Sequence, residues 1–273
     1  MMTTDRILTR VALASLLFLS AGTARAQGVN NASRSGCKAL PSQAALRSAL
    51  IAARNSQNGG FNLDMWGTIV DRDGVVCAVA FTGNDRGDQW PGSRVISAQK
   101  ANTANAFSLP GLALSTANLY SAVQPGGSLY GLQASNPVST DEAYSGSPTN
   151  YGQLADGMVG GRIGGVNVFG GGLALYASNG ALLGAIGVSG DTSCADHNVA
   201  WRTRNNLNLD FVPAGVAAIF GGDPTHKDNI VFDITPQPGQ MPGISGSGWG
   251  HPHCGPGAAG GETAIAAGLP PTK

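Results

Sequence analysis

Charge is the scarcest commodity in this chain: only 12% of its 273 residues are Asp, Glu, Lys or Arg, about half the usual share. Lysine occurs only at Lys38, Lys100, Lys227 and Lys273, and arginine is scattered. A nucleic-acid binder needs a basic stripe that displaces phosphate counterions, so that class is excluded. Long apolar runs are also missing, since nothing beyond residue 26 approaches the ~18 consecutive apolar residues of a membrane span. No C-x-x-C occurs, which leaves a zinc ribbon or thioredoxin-type motif unsupported. G-x-S-x-G, H-E-x-x-H and Walker A are likewise absent. Glycine, by contrast, is abundant at 41 residues, yet without the strict three-residue period of a collagen. With 42% hydrophobic residues, the composition describes a globular protein with many tight turns or close backbone contacts.

Residues 1–26 read as a secretory leader. Arg6 and Arg10 precede a short apolar core from Val11 to Ala21, and Ala24-Arg25-Ala26 offers the small-x-small cleavage pattern. Cleavage before Gln27 would remove Arg6, Arg10, Arg25 and Asp5, taking the balance from 16 and 16 to 13 basic and 15 acidic residues, a net charge of −2. A periplasmic or secreted location, with no membrane span after leader removal, is the expectation. In an oxidising compartment the even set Cys37, Cys77, Cys194 and Cys254 favours two disulfides out of three connectivities. Cys194 with Cys254 would pin the C-terminal tail, and Cys37 with Cys77 would pin the N-terminal helix to a strand.

After a small, polar lead-in at 27–41, Ala45, Leu46, Ala49, Leu50 and Ala53 form a helical stripe stopped by Gly59-Gly60. Met65–Val70 and Val75–Phe81 read as a hairpin around Asp71-Arg72-Asp73-Gly74. Asn84–Gly92 is a polar loop. Ser93 can cap a second helix to Phe107, which Pro110-Gly111 stops before a short helix at 112–120. A Gly-, Ser- and Pro-rich loop at 121–165 carries Tyr130, Tyr144 and Tyr151, which could fold over a pocket. A second hairpin, Gly165–Tyr176 and Ala181–Val188, turns on Asn179-Gly180, and a third helix starts at Thr192 or Ser193. Beyond 211, Val216–Phe220 and Ile230–Ile234 are weak strand-like runs before a Gly/Pro-rich tail. The order implies α+β, an antiparallel sheet flanked by helices.

The stretch Ser97-Ala98-Gln99-Lys100-Ala101-Asn102-Thr103-Ala104 with Phe107, then Gly171-Gly172-Leu173, then Gly184-Ala185-Ile186-Gly187-Val188-Ser189-Gly190 with Asp196 and Ala200, resembles the GlcG/HbpS-like family, the haem-binding or haem-degrading domain family. The likeness covers about residues 42–210, leaving 211–273 as a C-terminal extension tied back by a disulfide. It implies a profilin-like fold assembled as a homo-oligomer, haem as the cofactor or another small molecule as partner, and a protein that binds, buffers or degrades haem. With four His and no C-x-x-C-H, covalent attachment of haem is not indicated.

Arg94 and Lys100, six apart at the start of one helix, could pair with haem propionates at a common mouth. Their alternative is a solvated helix face. His197, just after a strand, could ligate iron, or a metal together with Asp196, with Asp191 or Asp196 setting its tautomer. In place of His197, a hydroxyl such as that of Thr103 could lie near iron. Gly184, Gly187 and Gly190 allow close approach of a flat ligand, a second subunit or a packed helix. The tail His251-Pro252-His253-Cys254 has metal-ligand types but little to hold them. Trp66 and Trp201 read as core. Three readings follow for the function: an exported haem binder with its ligand in a cleft between sheet and helices, a small-molecule or metal-dependent enzyme using Asp196 and His197, and a structural oligomer without ligand. A Ser189/Asp196/His197 hydrolase is disfavoured, because adjacent helical residues point about 100° apart.

Overall fold

The computed structural model describes residues 36–254 and 261–273. The leader at 1–26 and the lead-in up to residue 35 lie outside the described residues. Helix α1, Gln43–Arg54, has the predicted stripe: Leu46, Ala49, Leu50 and Ala53 are buried, and Ser42 caps it by accepting from Ala45 N at 3.3 Å. Four strands follow in two hairpins, β1 Trp66–Asp71 with β2 Val76–Phe81, and β3 Gly172–Tyr176 with β4 Leu182–Ser189. Both turns rest on a glycine in the left-handed region, Gly74 at φ +75° and Gly180 at φ +80°, where a Cβ would be strained.

The strands pair antiparallel in the order β2-β1-β4-β3. Helix α2, Ser93–Phe107, packs on one face against Trp66, Val70, Val79 and Ala185. Helices α1 and α3, the latter Ser193–Asn206, cover the other face over Ile69, Leu173, Ile186 and Val188. Such full covering explains why β1 is buried at every position and reads as an apolar run rather than an alternation. Each large aliphatic side chain buried this way contributes roughly 1.5–3 kcal/mol. At Gly187 a Cβ would overlap the Ser97 carbonyl oxygen, so this glycine lets α2 lie against the sheet. Gly184 is approached by the Val70 carbonyl and Gly190 by Asp64 and Met65, so the chain's own backbone fills all three positions.

Several expectations change. Ser93 is the first helical residue and Gly92 holds the cap position; the Ser93 hydroxyl accepts from Ser189 Oγ at 3.1 Å instead. The helix expected at 112–120 shrinks to a 3-10 turn, Thr116–Leu119. The 121–165 stretch contains short helical turns, and its Ala143, Met158 and Ile163 join the α2-side core. Val216–Ile219 is a helical turn rather than a strand, closed by Ile219 N donating to Gly215 O at 3.1 Å and Phe220 N donating to Val216 O at 2.8 Å. The second weak run yields only β5, Ile234–Gln237, paired with β6, Gln240–Ser245. A last helix, α4, spans Glu262–Ala267.

Both sheet edges are met by other segments, β2 at its first residue and β3 at its last. Along β2, Val76 N donates to Gly161 O and Gly160 N donates to Val76 O, each at 2.9 Å. Along β3, Tyr176 N donates to Leu209 O at 2.9 Å, and Tyr176 bridges Asp210 in parallel. Both pairs of cysteines are joined, Cys37–Cys77 and Cys194–Cys254. No helix among the described residues is long and apolar enough to cross a membrane.

Candidate functional site

The polar side chains of α2 point inward and are bound by the chain itself. Arg94 is buried, with Nε donating to Asp156 Oδ2 at 2.9 Å, Nη2 paired with Oδ1 of the same carboxylate, and Nη1 donating to Ala143 O at 2.7 Å. The Tyr151 ring lies over its guanidinium at 3.5 Å. Asp156 also accepts from Gly152 N and Met158 N, so the pair holds the long loop onto α2. Lys100 Nζ donates to Asp196 Oδ2 at 2.6 Å and to Val188 O at 3.1 Å, joining α2 to α3 past the end of β4. Asp196 accepts further from Gly190 N and Asp191 N. Burial pushes its carboxyl up to about 6, opposed by the Lys100 ammonium. Thr103 Oγ1 donates to Gln99 O at 2.8 Å and accepts from Asn167 N at 2.9 Å.

Three of the predicted haem contacts therefore meet neither a solvated face nor an open mouth. Arg94 and Lys100 are buried ion pairs, and Thr103 has both its hydroxyl functions engaged. Asp191 accepts from Phe61 N and Leu63 N, which ties down the loop after α1 instead of setting the His197 tautomer. Of the tyrosines in the long stretch, only Tyr151 folds inward, while Tyr130 and Tyr144 are exposed.

His197 behaves differently. It has no solvent exposure, and neither ring nitrogen has a hydrogen bond of normal geometry. The other buried side-chain nitrogens without a hydrogen bond of normal geometry among the described residues, on Arg54, Trp66 and Arg204, are N–H donors, so within this set His197 alone offers a lone pair. Burial pushes its imidazole down to about 3, reinforced by the Arg204 cation, with Asn229 partly offsetting. The ring is thus neutral near pH 7, the state a metal needs. Trp201 lies beside it at 5.9 Å between ring centroids.

What closes over His197 is the C-terminal extension. Asp228 takes the Arg204 guanidinium at 2.6 and 2.8 Å, with both residues fully buried. Trp201 Nε1 donates to Pro270 O at 2.8 Å. His251 reaches the start of α3 and meets Ser193 Oγ at 2.8 Å, tethered by the Cys194–Cys254 disulfide. Because Cys254 is in that bridge, the metal set suggested by Cys194, His251 and Cys254 is closed in the oxidised chain. Two surface grooves stand out, one of about 280 Å³ lined by Phe220, Asp223, Asn229 and Asp233, the other of about 510 Å³ along residues 55–62. Neither is lined by Arg94, Lys100, Thr103 or His197.

Sequence reasoning missed Asp156, Asp228 and Ser193. Asp156 lies in a stretch without periodicity, and no local signal points to it. Ser193 and His251 had one available clue, since each lies close to a cysteine of the same disulfide.

Taken together, these elements define an α+β domain with one helix on one face of an antiparallel sheet and two on the other. A family model described as haem degrading protein HbpS-like matches residues 40–204, more than half of the chain. The chain belongs to this HbpS-like family, whose haem association is the coarse functional statement it inherits. Among solved structures, the PduOC haem complex is 23% identical, covering 61% of this chain and 91% of that one with a TM-score of 0.42. Klebsiella pneumoniae protein ORFY is 26% identical, covering 61% and 90%, with a TM-score of 0.40. HbpS is 17% identical, covering 60% and 86%, with a TM-score of 0.38. The comparison with curated proteins returns no match.

Against haem, the residues divide. Arg94, Lys100 and Thr103 do not fit as propionate or iron contacts, because their partners are internal. His197 fits by chemistry, being neutral, unpaired and flanked by an aromatic ring, although the extension covers it.

Proposed function

We propose that this chain is an exported haem-binding protein that buffers haem, with His197 as the side chain that would hold the iron. The observation that carries the reading is the fully buried His197 ring, neither nitrogen of which has a hydrogen bond of normal geometry. Leaving such a group unpaired costs about 1–3 kcal/mol, a cost understandable where the lone pair is held for a ligand. Membership of the HbpS-like family supplies the ligand class. The leader-like first 26 residues and the two disulfides support export. Haem, when bound, would supply the iron centre; the chain's part is to present a neutral imidazole and to exclude water around it. Entry requires the segment carrying Asn229 and His251 to part from α3.

Asp196 does not support the metal-enzyme alternative, since its carboxylate is held by Lys100 and two backbone N–H groups. Titration of the chain from residue 27 onward with hemin tests the proposal. A saturable Soret change, lost or shifted in His197→Ala, is the expected result. A saturable change unaffected by that substitution would remove His197 from the reading, and no saturable change would overturn haem binding itself.

A further inference from the structure

The C-terminal extension does more than cover His197. It places an imidazole on a serine. Ser193 Oγ and His251 Nε2 are 2.8 Å apart, and His251 Nδ1 is 2.7 Å from the Pro252 carbonyl oxygen. A carbonyl can only accept, so Nδ1 carries the ring proton and Nε2 has the lone pair, which makes the Ser193 hydroxyl the donor. This is the arrangement of an activated nucleophile: hydroxyl, base, and a third group that fixes the base's tautomer and would steady the imidazolium. One Oγ lone pair accepts from Gly170 N at 2.7 Å, fixing the rotamer, and the other is left for attack.

Position supports the same reading. His251 is buried at 2% exposure, whereas Ser193 is half-buried and can be reached. Ser193 opens the 14-residue α3, so the positive end of the helix lies where negative charge would develop on an attacked carbonyl. The Cys194–Cys254 bridge clamps both strands of chain at this point. Serine lies in the part of the chain that matches the HbpS-like family, and the base lies beyond it.

We propose that Ser193 and His251 form a nucleophile–base pair that hydrolyses small, uncharged carboxylic esters. The partial exposure of Ser193, with His251 buried behind it, suits a small ester reached from one side. Ser193 Oγ bonds to the ester carbonyl carbon while its proton passes to His251 Nε2. The alkoxide departs with that proton, leaving an acyl-serine. Water, deprotonated by the same nitrogen, then attacks the acyl carbon, and the serine leaves with its proton restored. The sum is ester plus water giving acid plus alcohol.

The test uses disulfide-intact protein without haem, so its outcome is independent of the haem reading. Incubation with p-nitrophenyl acetate should release nitrophenolate in a burst and leave one acetyl group, mapped by peptide mass to Ser193. His251→Gln should slow the burst by about 100-fold or more, and Ser193→Ala should abolish it. Labelling of the unmodified protein by a fluorophosphonate, again mapped by peptide mass, requires no variant and so does not depend on one folding. A label on Ser193 supports the pair. A label elsewhere, no label, or an undiminished burst in a folded His251→Gln overturns it.

Discussion

Helices α2 and α3 both carry buried polar side chains, and they use them in opposite ways. On α2, Arg94, Lys100 and Thr103 are each matched within residues 40–204, so these groups fix the packing of loop, helix and sheet. On α3, Ser193, His197 and Arg204 face the extension beyond residue 210. There one group is paired twice over, one is engaged by a histidine, and one has no hydrogen bond of normal geometry. Fully satisfied polar groups hold a structure in place. Chemistry is available where satisfaction is incomplete or where it comes from a movable partner.

The largest expected effect comes from cutting α3 away from the extension. Asp228→Ala leaves Arg204 buried without its carboxylate and should cost about 3–5 kcal/mol in denaturant unfolding. Asp156→Ala should cost a similar amount by stranding Arg94 on α2. If only the second variant is destabilised, the extension is an ornament on an independent domain, and the contrast drawn between the helices fails.

Next is the tether. Replacing Cys194 and Cys254 with alanine opens a crosslink of sequence separation 60 and should lower stability by about 2–4 kcal/mol. The same variant should expose His197 to hydrogen exchange and diethyl pyrocarbonate. Unchanged protection would show that Arg204–Asp228 and Trp201–Pro270 suffice to keep the segment closed.

The smallest effect concerns the orphaned ring. His197→Phe removes an unsatisfied buried polar group and should be neutral or stabilising by about 1 kcal/mol, while haem binding is lost. The pH dependence sharpens this. The folded-state values of His197 and His251, about 3 and about 4, lie below the usual 6.5. Their contributions are complete above 6.5 and are lost as pH falls toward those values. Asp196, raised from 3.8 to about 6, acts in the other sense: its contribution is complete below 3.8 and lost as pH rises through 6. Two histidines against one carboxyl predict a lower urea midpoint at about pH 5 than at about pH 7, with a smaller fall in His197→Phe. An identical fall in that variant would show that its ring does not titrate on unfolding as described.

The elements of the fold were legible where periodicity and turn chemistry agree. The α1 stripe, the Asp-Gly and Asn-Gly hairpins, and α2 over 93–107 follow from local residues alone. The weak run at Val216 was misread because four or five apolar residues fit a strand and a helical turn equally well. The site was less legible, because burial of a lysine or arginine depends on a partner far along the chain. Asp156 lies 62 residues from Arg94 and Asp196 lies 96 from Lys100. Nothing in the local pattern of α2 distinguishes an outward cation from an inward one.

The margins of the sheet bear on assembly. A strand with unpaired N–H and C=O groups is a template on which another chain can align. Here β2 is engaged by residues 160–161 and β3 by residues 209–210. A second copy aligning along β2 would meet residues 160–161 at Val76, and one aligning along β3 would have to displace residues 209–210 at Tyr176.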